Sequence, residues 1–438
     1  MRTPVRRLPL VMVSCALAAA AATLPAQQRS VTLAEALKMA DVATPAVVQA
    51  RGNVRSAGAG VRAAWGNFLP DINTNASYGK NSSDGPSRTD PITGEIISGN
   101  TASSSLSLGA SASIDLFTGF RRGAELSSAR AGRTEADAAL AFEQAQSVLA
   151  VTRQFFSALQ GADLVRVRQE AIRRAQDKLA IANAKLATRS ITIADSLQAE
   201  VDVINARLNL LSEERNLAEA EANLARLVGL DGRVSAVPDS TLFRIVPIAD
   251  SAGLLDEALE RSPSVVRAAA QVRAARANRA ITRSTYLPSV ALSTSTSFSG
   301  SDRNDFTLFN NRGIDVRLSW PLFNGFARER DVATRQATLD ATIARESDER
   351  RRVGAVLTTQ LAALRSAEQR TVLTAQNLES ARASARVQTE RYRLGSIGLV
   401  ELNAAQDALS RAETDAVSAR FEYLRAKAEI EAILGRTL

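Results

Sequence analysis

Apolar residues recur along this chain with two periods, seven and two, and the switches between them mark out its elements. Val151, Ala158, Val165, Ile172, Leu179 and Leu186 fall every seven residues, with Ala175 and Ala182 in the alternate position. Leu357, Leu364, Thr371, Leu378, Ala385 and Tyr392 repeat that register in the second half. A sustained seven-residue repeat marks a coiled-coil seam. No proline occurs between Pro91 and Pro238 or after Pro321. Proline costs about 3 kcal/mol in a helix interior, so these stretches can hold unbroken helices. The pattern predicts helices over about 121–186 and 327–393, each roughly 100 Å long at 1.5 Å per residue. Gly161 is a weak point that the first helix is expected to tolerate. Return helices are expected over about 196–228 and 402–434; in the first, Leu197, Val201, Ile204, Leu208 and Leu211 step by four and three as a further seam. Shorter helices at about 46–67 and 264–285 precede Pro70 and Pro288.

Elsewhere the period is two. Leu106, Leu108, Ala110, Ala112, Ile114 and Leu116 alternate with small or polar residues, as do Ile314, Val316, Leu318, Trp320 and Leu322. Two further alternating runs come before these, Ile72 to Tyr78 and Val290 to Phe298. Strands are therefore expected at about 68–82, 104–117, 286–299 and 306–322. A soluble, half-buried hairpin would alternate in the same way, so the aromatic residues decide. Phe68, Phe117, Tyr286, Trp320 and Phe323 fall at the helix-proximal ends, and Tyr78, Phe298, Phe306 and Phe309 toward the loops. Two aromatic levels about ten residues apart match the girdles of a membrane β-barrel. Four strands cannot close such a barrel. An open sheet in lipid leaves edge N–H and C=O groups unpaired, so several copies are expected to close one barrel together.

The layout occurs twice. Leu116-Phe117-Thr118-Gly119-Phe120 returns 206 residues later as Leu322-Phe323-Asn324-Gly325-Phe326, and Ser190-Ile191 returns as Ser396-Ile397 at the same offset. Both Gly119 to Ser190 and Gly325 to Ser396 span 71 residues. Packed helices hold such lengths and loops do not. Pro70 to Gly119 spans 49 residues against 37 for Pro288 to Gly325, so the extra sequence is expected at the strand tip, about 81–103. The domain reading is a first repeat over 27–229, an inter-repeat equatorial segment over 230–252 and a second repeat over 253–438.

Residues 1–26 read as a secretory signal: Arg2, Arg6 and Arg7, an apolar run from Leu8 to Ala22, and a Leu24-Pro25-Ala26 cleavage site. The only cysteine, Cys15, lies inside it. Its lipidation is the weaker alternative, because apolar sequence continues past it. The net charge is +8, and 49 of the 54 cationic residues are arginine, leaving five lysines. The arginines are scattered among acids on helices, which is a solvated face and not a nucleic-acid surface. With no histidine, P-loop, nucleophile elbow or dinucleotide glycine motif, neither an enzyme nor a cofactor is expected.

With these features the chain resembles the TolC-like outer-membrane efflux protein family. The residues that carry the resemblance are Glu35-Ala36-Leu37 and Glu257-Ala258-Leu259, Phe68-Leu69-Pro70 and Tyr286-Leu287-Pro288, the two Leu-Phe-x-Gly-Phe turns, and Tyr392-Arg393-Leu394-Gly395-Ser396. The resemblance implies a mainly α fold with a β-barrel, built on a duplicated helix–hairpin–long-helix–helix repeat. It also implies a homotrimer whose 12-stranded outer-membrane barrel continues into a long periplasmic α-helical barrel. A periplasmic adaptor would join it to an inner-membrane transporter, and it would serve as a passive exit channel for small molecules or proteins. A secreted coiled-coil scaffold is the alternative.

The same resemblance places the periplasmic aperture at the two helix–turn–helix tips, 186–197 and 392–403. Gate candidates are Asp195, Glu401 and Tyr392; adaptor-docking candidates are Arg189, Ser190, Leu394, Gly395 and Ser396. The acids also fit plain helix capping, Asp195 as an N-cap with Gln198 three residues on and Glu401 in a first turn. Tyr392 also fits a plain seam position. The first tip lacks the family's glycine, having Arg189 there, and Ile397 and Ala404 replace polar residues found in some members.

Overall fold

The computed structural model describes residues 29–97, 101–239, 243, 251–302 and 305–438. The expected leader with Cys15, part of the 230–252 segment and residues 98–100 of the first strand tip lie outside the described residues.

The chain is mainly helical, with one four-stranded sheet. Strand β1 (Arg29–Val31) leads into α1 (Leu33–Ala43) and α2 (Pro45–Gly66). Thr32 and Glu35 form a capping box on α1, and Pro45 opens α2, where its missing N–H costs nothing. Strands β2 (Asp71–Ser83) and β5 (Thr101–Phe117) flank the small hairpin of β3 (Arg88–Thr89) and β4 (Ile96–Ile97). The extra sequence of the first half therefore forms a hairpin of its own at the strand tip. The long helix α3 (Arg121–Ala187) and its return α4 (Ile193–Val228) follow, then β6 (Val234–Ala236). The second half supplies α5 (Ser251–Arg261), α6 (Pro263–Arg283), β7 (Ser289–Ser301), β8 (Phe309–Ser319), α7 (Ala327–Arg393) and α8 (Leu399–Leu434). Helices α3 and α7 each have 67 residues, and α4 and α8 each have 36.

The sheet is antiparallel in the order β2-β5-β7-β8, with β2 and β8 as its edges. Both Leu-Phe-x-Gly-Phe turns place two successive residues in the left-handed region, Gly119-Phe120 (φ 59° and 67°) and Gly325-Phe326 (φ 66° and 65°). At Gly119 a Cβ would lie 2.7 Å from both the Leu287 Cβ and the Ser284 carbonyl oxygen, so only glycine fits.

The core lies where both helical hairpins meet the short helices and the parallel pair β1–β6. Val151, Phe155, Leu224, Leu357, Phe421 and Ile430 are almost wholly buried there. Gly161 is a contact point and not merely tolerated: a Cβ there would meet Leu217 at 3.3–3.5 Å, so α3 and α4 approach closely at this position. The α7 heptad is internal, with Leu357, Leu364, Ala385 and Tyr392 buried. The α4 ladder is not an internal seam. Leu197, Val201, Ile204, Leu208 and Leu211 are 47–60 % exposed, and α4 packs in this chain through Ala199, Val203, Leu224 and Val228.

Candidate gate at the helical tips

Both tips are built from a helix end in which a left-handed residue closes the last turn. In the first, Arg189 takes φ 56° and the Ser190 N–H bonds the Lys185 carbonyl at 2.8 Å. In the second, Gly395 takes φ 78° and the Ser396 N–H bonds the Arg391 carbonyl at 2.8 Å. This 6→1 bond is the Schellman closure, which glycine enters without a Cβ penalty. Leu394 caps α7 and is exposed.

Thr192, and not Asp195, is the N-cap of α4. Asp195 is its capping-box partner: its N–H reaches the Thr192 hydroxyl at 3.3 Å, and its carboxylate accepts from the Thr192 N–H at 3.0 Å and hydroxyl at 2.8 Å. These bonds, the hydroxyl's first, hold its pKa below the ordinary aspartate value. Gln198 instead donates to Asp202 at 3.0 Å. Glu401 lies in the first turn of α8 behind an N-cap, Gly398, that has no side chain to offer. Among the described residues no hydrogen bond or ion pair joins Glu401 to Asp195 or Tyr392.

Tyr392 is only 1 % exposed and packs with Leu399, Leu402, Ile181 and Ile397. Burial, and secondarily the negative charge of Asp195, raises its pKa. Its hydroxyl has no hydrogen-bond partner among the described residues.

Two lysines that the seam pattern did not single out tie the helical hairpins together. Lys185 Nζ sits 4.2 Å from the centre of the Tyr392 ring and donates to the Tyr392 carbonyl, joining α3 to α7. Lys178, 5 % exposed, reaches Asp202 on α4 at 2.5 Å and Asn403 on α8 at 2.7 Å. About one turn away on α3, Arg174 forks onto Glu413 at 2.7 and 3.2 Å. A polar hollow of about 320 Å³ opens beside these groups. Their signal was in the sequence: Lys178 and Lys185 are seven residues apart, in a chain with only five lysines against 49 arginines.

A long helical hairpin pair hung from an amphipathic open sheet is the build of a membrane-anchored duct, and comparison with known proteins agrees. A family model described as outer membrane efflux protein matches residues 36–230 and 254–436. The chain belongs to that family, an outer-membrane family of channels and not of enzymes. It is 31% identical to protein CyaE of Bordetella pertussis over 192 residues, which cover 41% of this chain and 38% of that one. Its fold matches CusC with a TM-score of 0.78 at 17% identity, over 92% of each chain. It matches the outer membrane protein VceC of Vibrio cholerae with a TM-score of 0.74 at 16% identity, over 92% of this chain and 96% of that one.

Proposed function

We propose that three copies of this chain form a passive exit duct of a tripartite efflux or secretion system. Their sheets close one 12-stranded outer-membrane barrel, and their long helices form a periplasmic tunnel that opens at its tips. Energy comes from an inner-membrane transporter, coupled through a periplasmic adaptor that docks on Arg189, Ser190, Leu394, Gly395 and Ser396.

One observation carries the assembly: equivalent surfaces are covered once and bare once. Gly119 packs against Ser284 and Leu287, whereas a Cβ at Gly325 would meet no packing neighbour within 4 Å among the described residues. Strand β5 pairs with β7, whereas β8 and β2 have free edges. Helix α3 packs on α8, whereas α4 leaves its apolar ladder exposed and α7 exposes Val372, Leu373 and Val387. Each bare surface is the counterpart of one covered within the chain. A ring of copies satisfies all of them with one contact, and closure leaves no sheet edge in lipid.

The gate reading follows from the tips. Lys178, Lys185 and Tyr392 hold the α7–α8 hairpin against α3–α4, and opening separates them. Asp195 and Glu401 place six carboxylates around the aperture of a trimer, which favours cations. The test is to extract the protein from outer membranes in mild detergent, measure its mass and record it in planar bilayers. A trimer with stepwise conductance is expected. A soluble monomer, an open-ended filament or zero conductance would overturn the reading.

A further inference from the structure

The two faces of the sheet differ in charge. Strand register puts Ile72, Ala112, Thr294 and Ile314 in one row and Thr74, Ala110, Thr296 and Arg312 in the next. This is the apolar face, and within the four strands its only charged side chains are Lys80 and Arg312. The opposite face is rich in serine and asparagine and carries Asp71, Asp115, Asp315 and Arg317. In the assembled duct the serine-rich face lines the water and the apolar face meets lipid. Within the four strands, two cations, no acid and many aliphatic groups then share the lipid side.

Their height is informative. Lys80 is nine residues beyond Asp71, the helix-proximal start of β2, or about 30 Å along a strand. At the usual tilt this is about 23 Å of rise, close to the roughly 25 Å height of a barrel's apolar band. Lys80 thus stands at the outer rim. Arg312 starts slightly lower, and its long side chain reaches the same level by snorkelling. Both are exposed and neither makes an ion pair among the described residues. The nearest acid along the Lys80 row, Asp302, is turned to the Ser104 N–H at 2.8 Å.

The two cations sit on opposite edges of the sheet, and ring closure brings them together. Lys80 follows Pro70 by ten residues as Phe298 follows Pro288, and Arg312 lies 206 residues after Leu106, so Lys80 corresponds to Phe298 and Arg312 to Leu106. Phe298 faces Leu108 while Leu106 faces Gly300, so Leu106 and Phe298 are diagonal neighbours. The same pairing across the seam makes Arg312 diagonal to the partner subunit's Lys80, about 7–8 Å away between backbones. Just below Arg312 an apolar hollow of about 470 Å³ runs over the short side chains of Ala110, Ala112, Thr294 and Thr296, between Ile72 and Ile314.

We propose that this seam binds a phosphate-bearing lipid of the outer leaflet. The phosphate sits between Arg312 and the partner subunit's Lys80, and an acyl chain lies in the hollow below. A free anion has no use for the hollow, and a neutral lipid has none for the cations. The site rests on the trimeric-duct reading, because half of it comes from the next copy.

The test uses the full-length trimer reconstituted in phosphatidylcholine vesicles, with trace spin-labelled phosphatidic acid or spin-labelled phosphatidylcholine. Electron spin resonance then gives the fraction of each probe immobilised on the protein. A preference for phosphatidic acid is expected, at about fivefold per cation. It should fall to parity in Lys80→Gln/Arg312→Gln trimers, and 20 mM inorganic phosphate should leave it intact. Equal immobilisation of both probes, a preference untouched by the double substitution, or displacement by inorganic phosphate would each overturn the lipid site. Mass and conductance measured on the same samples separate the two ideas: a conducting trimer without lipid preference removes only this proposal, and a monomer removes the duct.

Discussion

Arg189 and Gly395 close two turns of the same build, and only one of them is glycine. A non-glycine residue in the left-handed region costs about 1–2 kcal/mol. Arg189→Gly is therefore expected to stabilise the first tip by about 1 kcal/mol, and Gly395→Ala to weaken the second by a similar amount. Hydrogen exchange at the 186–197 and 392–403 amides checks both; slower exchange in Gly395→Ala would contradict the account. The arginine places a cation at the exposed tip, where the proposed adaptor would dock. Lys178 presents the opposite case, a buried cation held by Asp202 and Asn403. Removing one partner of a buried ion pair typically costs about 3–5 kcal/mol. Lys178→Met should loosen α3 from α4 and α8, and raise open probability in planar bilayers over that of the unaltered channel. Unchanged gating would leave Lys178 a purely structural tie.

At the scale of elements, the α4 ladder shows what periodicity conveys. Leu197, Val201, Ile204, Leu208 and Leu211 announce a helix with one face to bury, and α4 is that helix. The period cannot say which helix covers the face, and among the described residues none does. Most of the α7 heptad was legible because its partner, α8, lies in the same chain; Leu357, Leu364, Ala385 and Tyr392 are buried as their spacing requires, and Thr371 and Leu378 are half-buried. Strand parity was legible too, since a pleat sends alternate residues to opposite faces. Strand ends were less so: β8 stops at Ser319 because Pro321 cannot donate to a ladder, and Trp320 instead gives its indole N–H to the Tyr286 carbonyl at 3.2 Å. At the gate the sequence marked Asp195, but which residue caps α4 depends on backbone angles set by Thr192. Lys178 and Lys185 escaped because a charge on a seam gains meaning only from what faces it. The ladder's role is testable. Ile204→Asp with Leu208→Asp should leave the isolated chain folded, since both positions are half exposed, yet yield monomers in detergent where the unaltered chain gives trimers. Persistent trimers would move the interface off this face.

At the scale of the whole proposed duct, each chain would supply one acid per tip, and a ring of copies would multiply that charge at the aperture. Asp195 is the informative member, because its carboxylate is held by the Thr192 hydroxyl and N–H. Those bonds favour the ionised form and lower its pKa. The sign follows: a depressed carboxylate keeps its charge, and its contribution to the α4 cap, at every pH above the usual aspartate range of about 4. It loses both only as pH falls through the lower folded value. Cation preference measured from reversal potentials should therefore hold from pH 8 to pH 5 and decline only below about pH 4. Asp195→Asn with Glu401→Gln should abolish the preference at neutral pH, while Asp195→Asn alone should reduce it and shorten helix protection at 192–196. Repulsion between the copies of Asp195 in a closed ring would act the other way, raising its pKa as they approach. A preference that is already fading between pH 7 and pH 5 would mean that this repulsion outweighs the Thr192 bonds. The closed aperture would then draw its acids close enough to share protons, and opening would have to release them.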